Sequence, residues 1–66
     1  MSLQGEIALV TGAGNGMGRA IALEFANEGA SIVAADINAN AVDAVAAEIN
    51  DTGGRAIAVE ADLGDM

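Results

Sequence analysis

Cysteine, histidine, proline, lysine, tyrosine and tryptophan are all absent from this sequence, and phenylalanine occurs once. Without Cys or His there is neither a disulfide staple nor a zinc site of the usual ligands, and no metal site is expected. Without Pro, nothing forces a break inside a helix. Basic residues are scarce: Arg19 and Arg55 stand against ten acidic side chains, for a net charge of −8. Neutralising the phosphates of a nucleic acid takes clustered Lys and Arg, so nucleic acids and anionic membrane surfaces are excluded as partners. The acidity reads as a solubility feature. No apolar run approaches the roughly 20 residues of a membrane span. The opening Met1-Ser2-Leu3-Gln4-Gly5 lacks the basic start and apolar stretch of a secretory signal, and a cytoplasmic protein is the expectation.

What is present does not suit so short a chain. The 66 residues are 53% hydrophobic and 18% charged, mostly through Ala, Val, Ile and Leu. That excludes a disordered tail. Chains below roughly 70–80 residues seldom bury enough apolar surface to stand alone without staples, metals or partners. A large-domain composition at small-protein length implies part of a larger domain. Residues 5–66 are assigned to it, and residues 1–4 to a leader that an expression vector could equally have supplied.

Two patterns alternate along the chain. Ile7-Ala8-Leu9-Val10, Ser31-Ile32-Val33-Ala34-Ala35 and Ala56-Ile57-Ala58-Val59 are short continuous apolar runs, the signature of strands in a parallel sheet. Between them, Met17, Ile21 and Phe25 recur every fourth residue and predict a helix from Met17 to Glu28, with Gly29 at its end. Val42, Val45, Ala46 and Ile49 form one apolar face of a second helix, from Ala39 to Thr52, with Asn38 as N-cap and Gly53-Gly54 as stop. Strand–helix–strand–helix–strand predicts a parallel βαβαβ unit. Right-handed crossovers put both helices on one face of the sheet. The other face is then left without a cover from these residues.

The segment Thr11-Gly12-Ala13-Gly14-Asn15-Gly16-Met17-Gly18 falls where the first strand gives way to the first helix. A helix begins with amides that have no intrahelical acceptor and with partial positive charge, so an anion binds there if the backbone can come close. Glycines permit the turn and remove the side chains that would block approach. A glycine-rich stretch alone is equally a flexible connection; its position at a strand-to-helix junction makes it a candidate pyrophosphate site. The general G-x-G-x-x-G fingerprint fails, because counting from Gly12 and Gly14 its last place is Met17. Asp36 closes the second strand 18 residues past Gly18. An acidic residue about 20 residues beyond such a turn meets the adenosine ribose in dinucleotide-binding folds. A carboxylate there accepts from ribose hydroxyls and repels a 2′-phosphate, which favours NAD over NADP. Without a ligand, Asp36 would be an ordinary turn aspartate.

Thr11, Gly12, Gly16 and Gly18 do fit T-G-x-x-x-G-x-G. With the strand Ile7-Ala8-Leu9-Val10-Thr11, the helix start Arg19-Ala20-Ile21-Ala22 and the pair Asp62-Leu63, the chain from Gly5 onward resembles the first third of the short-chain dehydrogenase/reductase family. The resemblance implies an α/β fold, a Rossmann-type doubly wound parallel sheet of which this chain carries the first βαβαβ portion only. It implies a cofactor site in which Gly12, Asn15, Gly16, Met17 and Gly18 hold the pyrophosphate of NAD and Asp36 the ribose. Asp62 and Leu63 would lie against the adenine, with Ile37 as an apolar wall. Asp62 is alternatively a cap for a following helix. The places where NADP-preferring relatives carry a base are Asn15 and Ile37 here, so NADP is the lesser candidate.

The family's proton donor is a Tyr assisted by a Lys four residues on, and this chain has neither, so no catalytic residue is assigned. The parent implied by the resemblance is an NAD(H)-dependent oxidoreductase that moves hydride to or from a small alcohol or ketone substrate, as a homo-oligomer, dimer or tetramer. Two rivals stay open: a stand-alone or minimal adenine-dinucleotide-binding module without catalysis, and a site for another adenosine ligand such as S-adenosylmethionine.

Overall fold

The computed structural model describes residues 3–61. Strand β1 (Ile7–Thr11) is followed by helix α1 (Gly16–Asn27), strand β2 (Ser31–Asp36), helix α2 (Ala39–Asp51) and strand β3 (Arg55–Glu60). The three strands form one parallel sheet in the order β1-β2-β3. Ile7 pairs with Ser31 and Ser31 with Arg55, and the register runs on to Thr11 beside Ala35 and Asp36 beside Glu60. All three strands therefore end at one edge, which receives the glycine turn and Asp36.

Side chains alternate across a strand, so this register sorts them into two faces. Ala8, Val10, Ile32, Ala34, Ala56 and Ala58 point one way and meet Ala22, Val42, Val45 and Ile49 from the two helices. Ile32, Val42 and Ile49 are the largest fully buried side chains. Ile7, Leu9, Val33, Ile57 and Val59 point the other way; Val33 is half-buried in the central strand, while the others are exposed, Ile7 at 75% and Leu9 at 66%. Both helices thus lie on one face, as the crossover rule requires.

Each helix ends in the same device. Gly29 N–H donates to the Ala26 carbonyl (3.0 Å) and Ala30 N–H to that of Phe25 (3.1 Å), a Schellman closure that Gly29 permits at φ 102°. Gly53 and Gly54 repeat it onto Asn50 and Ile49. Asn50 does a second service: its side chain donates to the Ala56 carbonyl (3.0 Å) and accepts from the Ala56 N–H (2.9 Å), imitating a neighbouring strand along β3. Leu3, the first described residue, is tied to this fold. Leu3 N–H donates to the Glu28 carbonyl at 2.7 Å, and the Leu3 side chain packs against the core.

The row Met17, Ile21 and Phe25 marks the helix correctly but not its inner face. Met17 is 79% exposed, and Ile21 and Phe25 are 38% exposed each. The inner row is Gly18, Ala22 and Ala26, with Leu23 beside it. Small residues face inward because α1 starts hard against the end of β1: a Cβ on Gly18 would stand 2.6 Å from the Gly12 carbonyl carbon.

Candidate functional site

The site is assembled where β1 stops. Thr11 leads into Gly12 at φ 64°, and the turn closes at Gly16 with φ 51°, conformations that cost other residues on the order of 1–2 kcal/mol. Between them Ala13 is fully buried, with its N–H donating to the Ala35 carbonyl at 3.1 Å. The turn is therefore anchored to β2 rather than free. A Cβ built on Gly12 or Gly16 would find no atom within 4 Å, so these two glycines leave open space above the turn.

The two helix starts differ in how their first amides are satisfied. At α2, the Asn38 side chain accepts from the Ala41 N–H at 3.0 Å. At α1, Asn15 makes no side-chain cap and the first turn holds no acidic residue. Among the described residues, the N–H groups of Asn15, Gly16, Met17 and Gly18 have no acceptor; the first helical bond is Arg19 N–H to the Asn15 carbonyl. Four unpaired donors at the positive end of a helix, under open space and with no carboxylate of their own, form a cradle for an anion. A phosphate or pyrophosphate fits that donor set. Among the described residues no cluster of His, Cys, Asp or Glu fits a metal ion.

Asp36 stands at the end of the adjacent strand with its carboxylate turned back onto this structure. Oδ2 accepts from the Gly14 N–H at 2.8 Å and Oδ1 from the Asn38 N–H at 2.9 Å. The bonds from Asn38 and then Gly14 hold its pKa below the ordinary value of 3.8, against a smaller opposing effect of partial burial. Asp36 is thus ionised at neutral pH. A carboxylate offers about four acceptor positions, so these amides do not exhaust its capacity for a ligand. Ile37, 62% exposed, follows it at the rim, and Glu60 lies beside it in register on β3.

The structure thus gathers Gly12, Asn15, Gly16, Met17, Gly18, Asp36 and Ile37 at one edge of the sheet. Asp62 and Leu63 lie outside the described residues. Arg19 is directed elsewhere: its guanidinium meets Glu48 of α2 at 2.6 Å. That pair borders a groove between the helices, lined also by Leu23, Asn27, Thr52 and Arg55, near the start of β2 and β3 and away from the glycine turn. One participant was not singled out from sequence. Gly14 contributes the amide that Asp36 accepts, and the G-x-G spacing from Gly12, set aside because the third glycine of that fingerprint is Met17, was the signal for it.

Comparison with known proteins shows the family and the fold. The model of the family described as short chain dehydrogenase matches residues 6–66. A 7α-hydroxysteroid dehydrogenase of Escherichia coli K12 is 48% identical over 63 residues, covering 96% of this chain and 25% of the relative. A hydroxynaphthalene reductase-like protein of Metarhizium anisopliae is 52% identical over 66 residues, 94% of this chain and 24% of the relative. Among solved structures, a 7α-hydroxysteroid dehydrogenase in complex with NADH and 7-oxoglycochenodeoxycholic acid superposes with a TM-score of 0.90 at 49% identity, over 92% of this chain and 24% of that one. A structure assigned to an NAD(P)-dependent gluconate 5-dehydrogenase of Beutenbergia cavernae, with NADP at low occupancy, gives 0.93 at 52% identity, over 98% of this chain and 26% of that one. The chain spans about a quarter of the length of the relatives it matches.

Proposed function

The chain belongs to the short-chain dehydrogenase family, as the N-terminal βαβαβ portion of its Rossmann-type sheet, and from that premise we propose that it holds the adenosine and pyrophosphate part of NAD(H) for an oxidoreductase acting on an alcohol or ketone. One observation carries the reading: four unpaired amides at the start of α1 lie beside a carboxylate fixed at the end of the next strand. In this reading Gly12, Asn15, Gly16, Met17 and Gly18 enclose the pyrophosphate and Asp36 accepts from the ribose hydroxyls. Ile37 forms an apolar wall of the adenine pocket, and Asp62 with Leu63 completes it. The cofactor supplies the hydride exchanged with the substrate carbon.

Preference for NAD over NADP rests on charge. Asp36 and its register neighbour Glu60 are both acidic. The nearest cation along the turn, Arg19, is bound to Glu48. A 2′-phosphate at Asp36 would meet like charge without a counter-ion. NADP in one solved relative and NADH in another make this a property to measure. Calorimetric titration of the protein at the length of its relatives with NAD, NADP and S-adenosylmethionine tests it. The reading expects NAD to bind most tightly; preference for S-adenosylmethionine, or no response to any of the three, refutes it. For the protein at the length of its relatives, the same reading expects a cytoplasmic dimer or tetramer with a small-molecule substrate, which sedimentation and an NAD-linked alcohol oxidation assay would check.

A further inference from the structure

Gly14 differs from its neighbours in the turn. Gly12 and Gly16 have positive φ; Gly14 does not, so its backbone is open to any L-residue. What excludes a side chain there is space. A Cβ on Gly14 would stand 2.8 Å from Asp36 Oδ2, 3.1 Å from Asp36 Cγ and 2.8 Å from the Ala41 Cβ. Ala41 cannot readily give way, because it lies in the first turn of α2 with its N–H bound to the Asn38 side chain at 3.0 Å. The Asp36 carboxylate is the part that can move, and moving it breaks the 2.8 Å bond from the Gly14 N–H.

We propose that Gly14 is a specificity-determining position of the dinucleotide site: its missing side chain lets the Asp36 carboxylate lie on the turn, and that contact sets the carboxylate where it reads the ribose. The inference rests on the dinucleotide reading given above. Its geometry is simple. With Oδ1 held by Asn38 and Oδ2 by Gly14, both oxygens of the carboxylate are fixed by backbone amides, and each keeps acceptor capacity for a ligand. Two fixed acceptors match two neighbouring ribose hydroxyls; a carboxylate swung aside by a methyl group presents neither in place. The turn that meets the phosphates and the acid that meets the sugar are thereby one mechanical unit.

The test combines a ligand-free measurement with a binding cycle. In the ligand-free chain, Asp36→Asn should move the Gly14 amide proton resonance upfield, since a charged acceptor is lost; an unmoved resonance overturns the contact. For binding, NAD and NADP are titrated against wild type, Gly14→Ala, Asp36→Asn and the double variant. Gly14→Ala should weaken NAD by about tenfold or more, the worth of a hydrogen bond to a charged group, and leave NADP nearly unchanged. The double variant should be no weaker than Asp36→Asn alone, because both remove the same interaction. Equal weakening of NAD and NADP, or additive losses in the double variant, would mean mere damage to the turn and overturn the proposal. Adding Ala41→Gly to Gly14→Ala removes one of the two obstructions and should restore part of the NAD preference; no recovery counts against the proposal. A wild-type protein at the length of its relatives that binds neither dinucleotide refutes the functional reading and the specificity role with it, while the amide resonance still judges the contact separately.

Discussion

Gly18→Ala separates two lines of reasoning by sign. Gly18 is the third residue of α1, and in a helix Ala is favoured over Gly by about 0.8–1 kcal/mol. Propensity alone therefore expects the substitution to stabilise. The structure expects the reverse. The added Cβ would stand 2.6 Å from the Gly12 carbonyl carbon, closer still to the Gly12 oxygen, and 3.2 Å from the Ala13 Cα. All three are backbone atoms, with no rotamer to yield. Ordinary carbon contacts begin near 3.5 Å, so the helix start must retreat by about 1 Å. Retreat opens a gap above β1 and unseats Ala22, which is fully buried. Overpacking of this kind costs typically 1–3 kcal/mol, and more where the backbone cannot relax. Set against the propensity gain, a net loss of about 2 kcal/mol is expected. In a domain of this size each kcal/mol moves Tm by about 4–8 °C, so a fall of roughly 8–16 °C should follow. Urea and thermal unfolding followed by circular dichroism read it directly. A Gly18→Ala chain as stable as wild type, or more so, would show that the close approach of α1 to β1 does not exist as described.

Three smaller perturbations probe other parts. Asn50→Ala removes both side-chain bonds to Ala56; at this exposed position the loss should be about 1 kcal/mol, with faster hydrogen exchange at the Ala56 amide and at no distant site. Arg19→Met breaks an ion pair whose side chains are 45% and 44% exposed, so stability should change by less than about 1 kcal/mol, and the ratio of NAD to NADP affinity should not change. Asp36 has a lowered pKa in the folded chain. Its contribution to stability is therefore complete above its ordinary value of 3.8 and is lost as pH falls through the lower folded value. Urea midpoints taken from about pH 5 downward should fall less steeply for Asp36→Asn than for wild type; parallel curves would contradict the bonds from Asn38 and Gly14.

Much of the architecture was legible because several signals coincide. The second strand is bounded by Gly29 and Asp36, and the second helix by Asn38 and Gly53, each punctuating residue acting through its own chemistry: the Asn38 oxygen caps, and the glycines accept positive φ. The third strand extends one residue beyond its apolar run at each end, to Arg55 and Glu60, because pairing with β2 continues where hydrophobicity stops. The inner face of α1 was not legible. The large residues Met17, Ile21 and Phe25 carry the periodic signal, but helix and strand touch through Gly18 and Ala22, whose small size is what allows the contact. Periodicity weights bulk, and here the contact selects against it.

The same difficulty runs through the turn itself. Gly12, Gly14, Gly16 and Gly18 alternate evenly and look interchangeable as letters, yet three distinct constraints require them. Gly12 and Gly16 are demanded by a positive φ. Gly18 is demanded by backbone that would overlap its Cβ, and Gly14 by a carboxylate from 22 residues away. Only the first of these constraints is local; the other two exist once β1, β2 and the helix starts have come together. A sequence pattern can therefore announce that a phosphate-sized cradle is present without revealing which glycine shapes the cradle and which one aims the acid beside it. Substituting the four in turn should separate them by phenotype: strain without a steric clash at Gly12 and Gly16, loss of stability at Gly18, and loss of dinucleotide discrimination at Gly14.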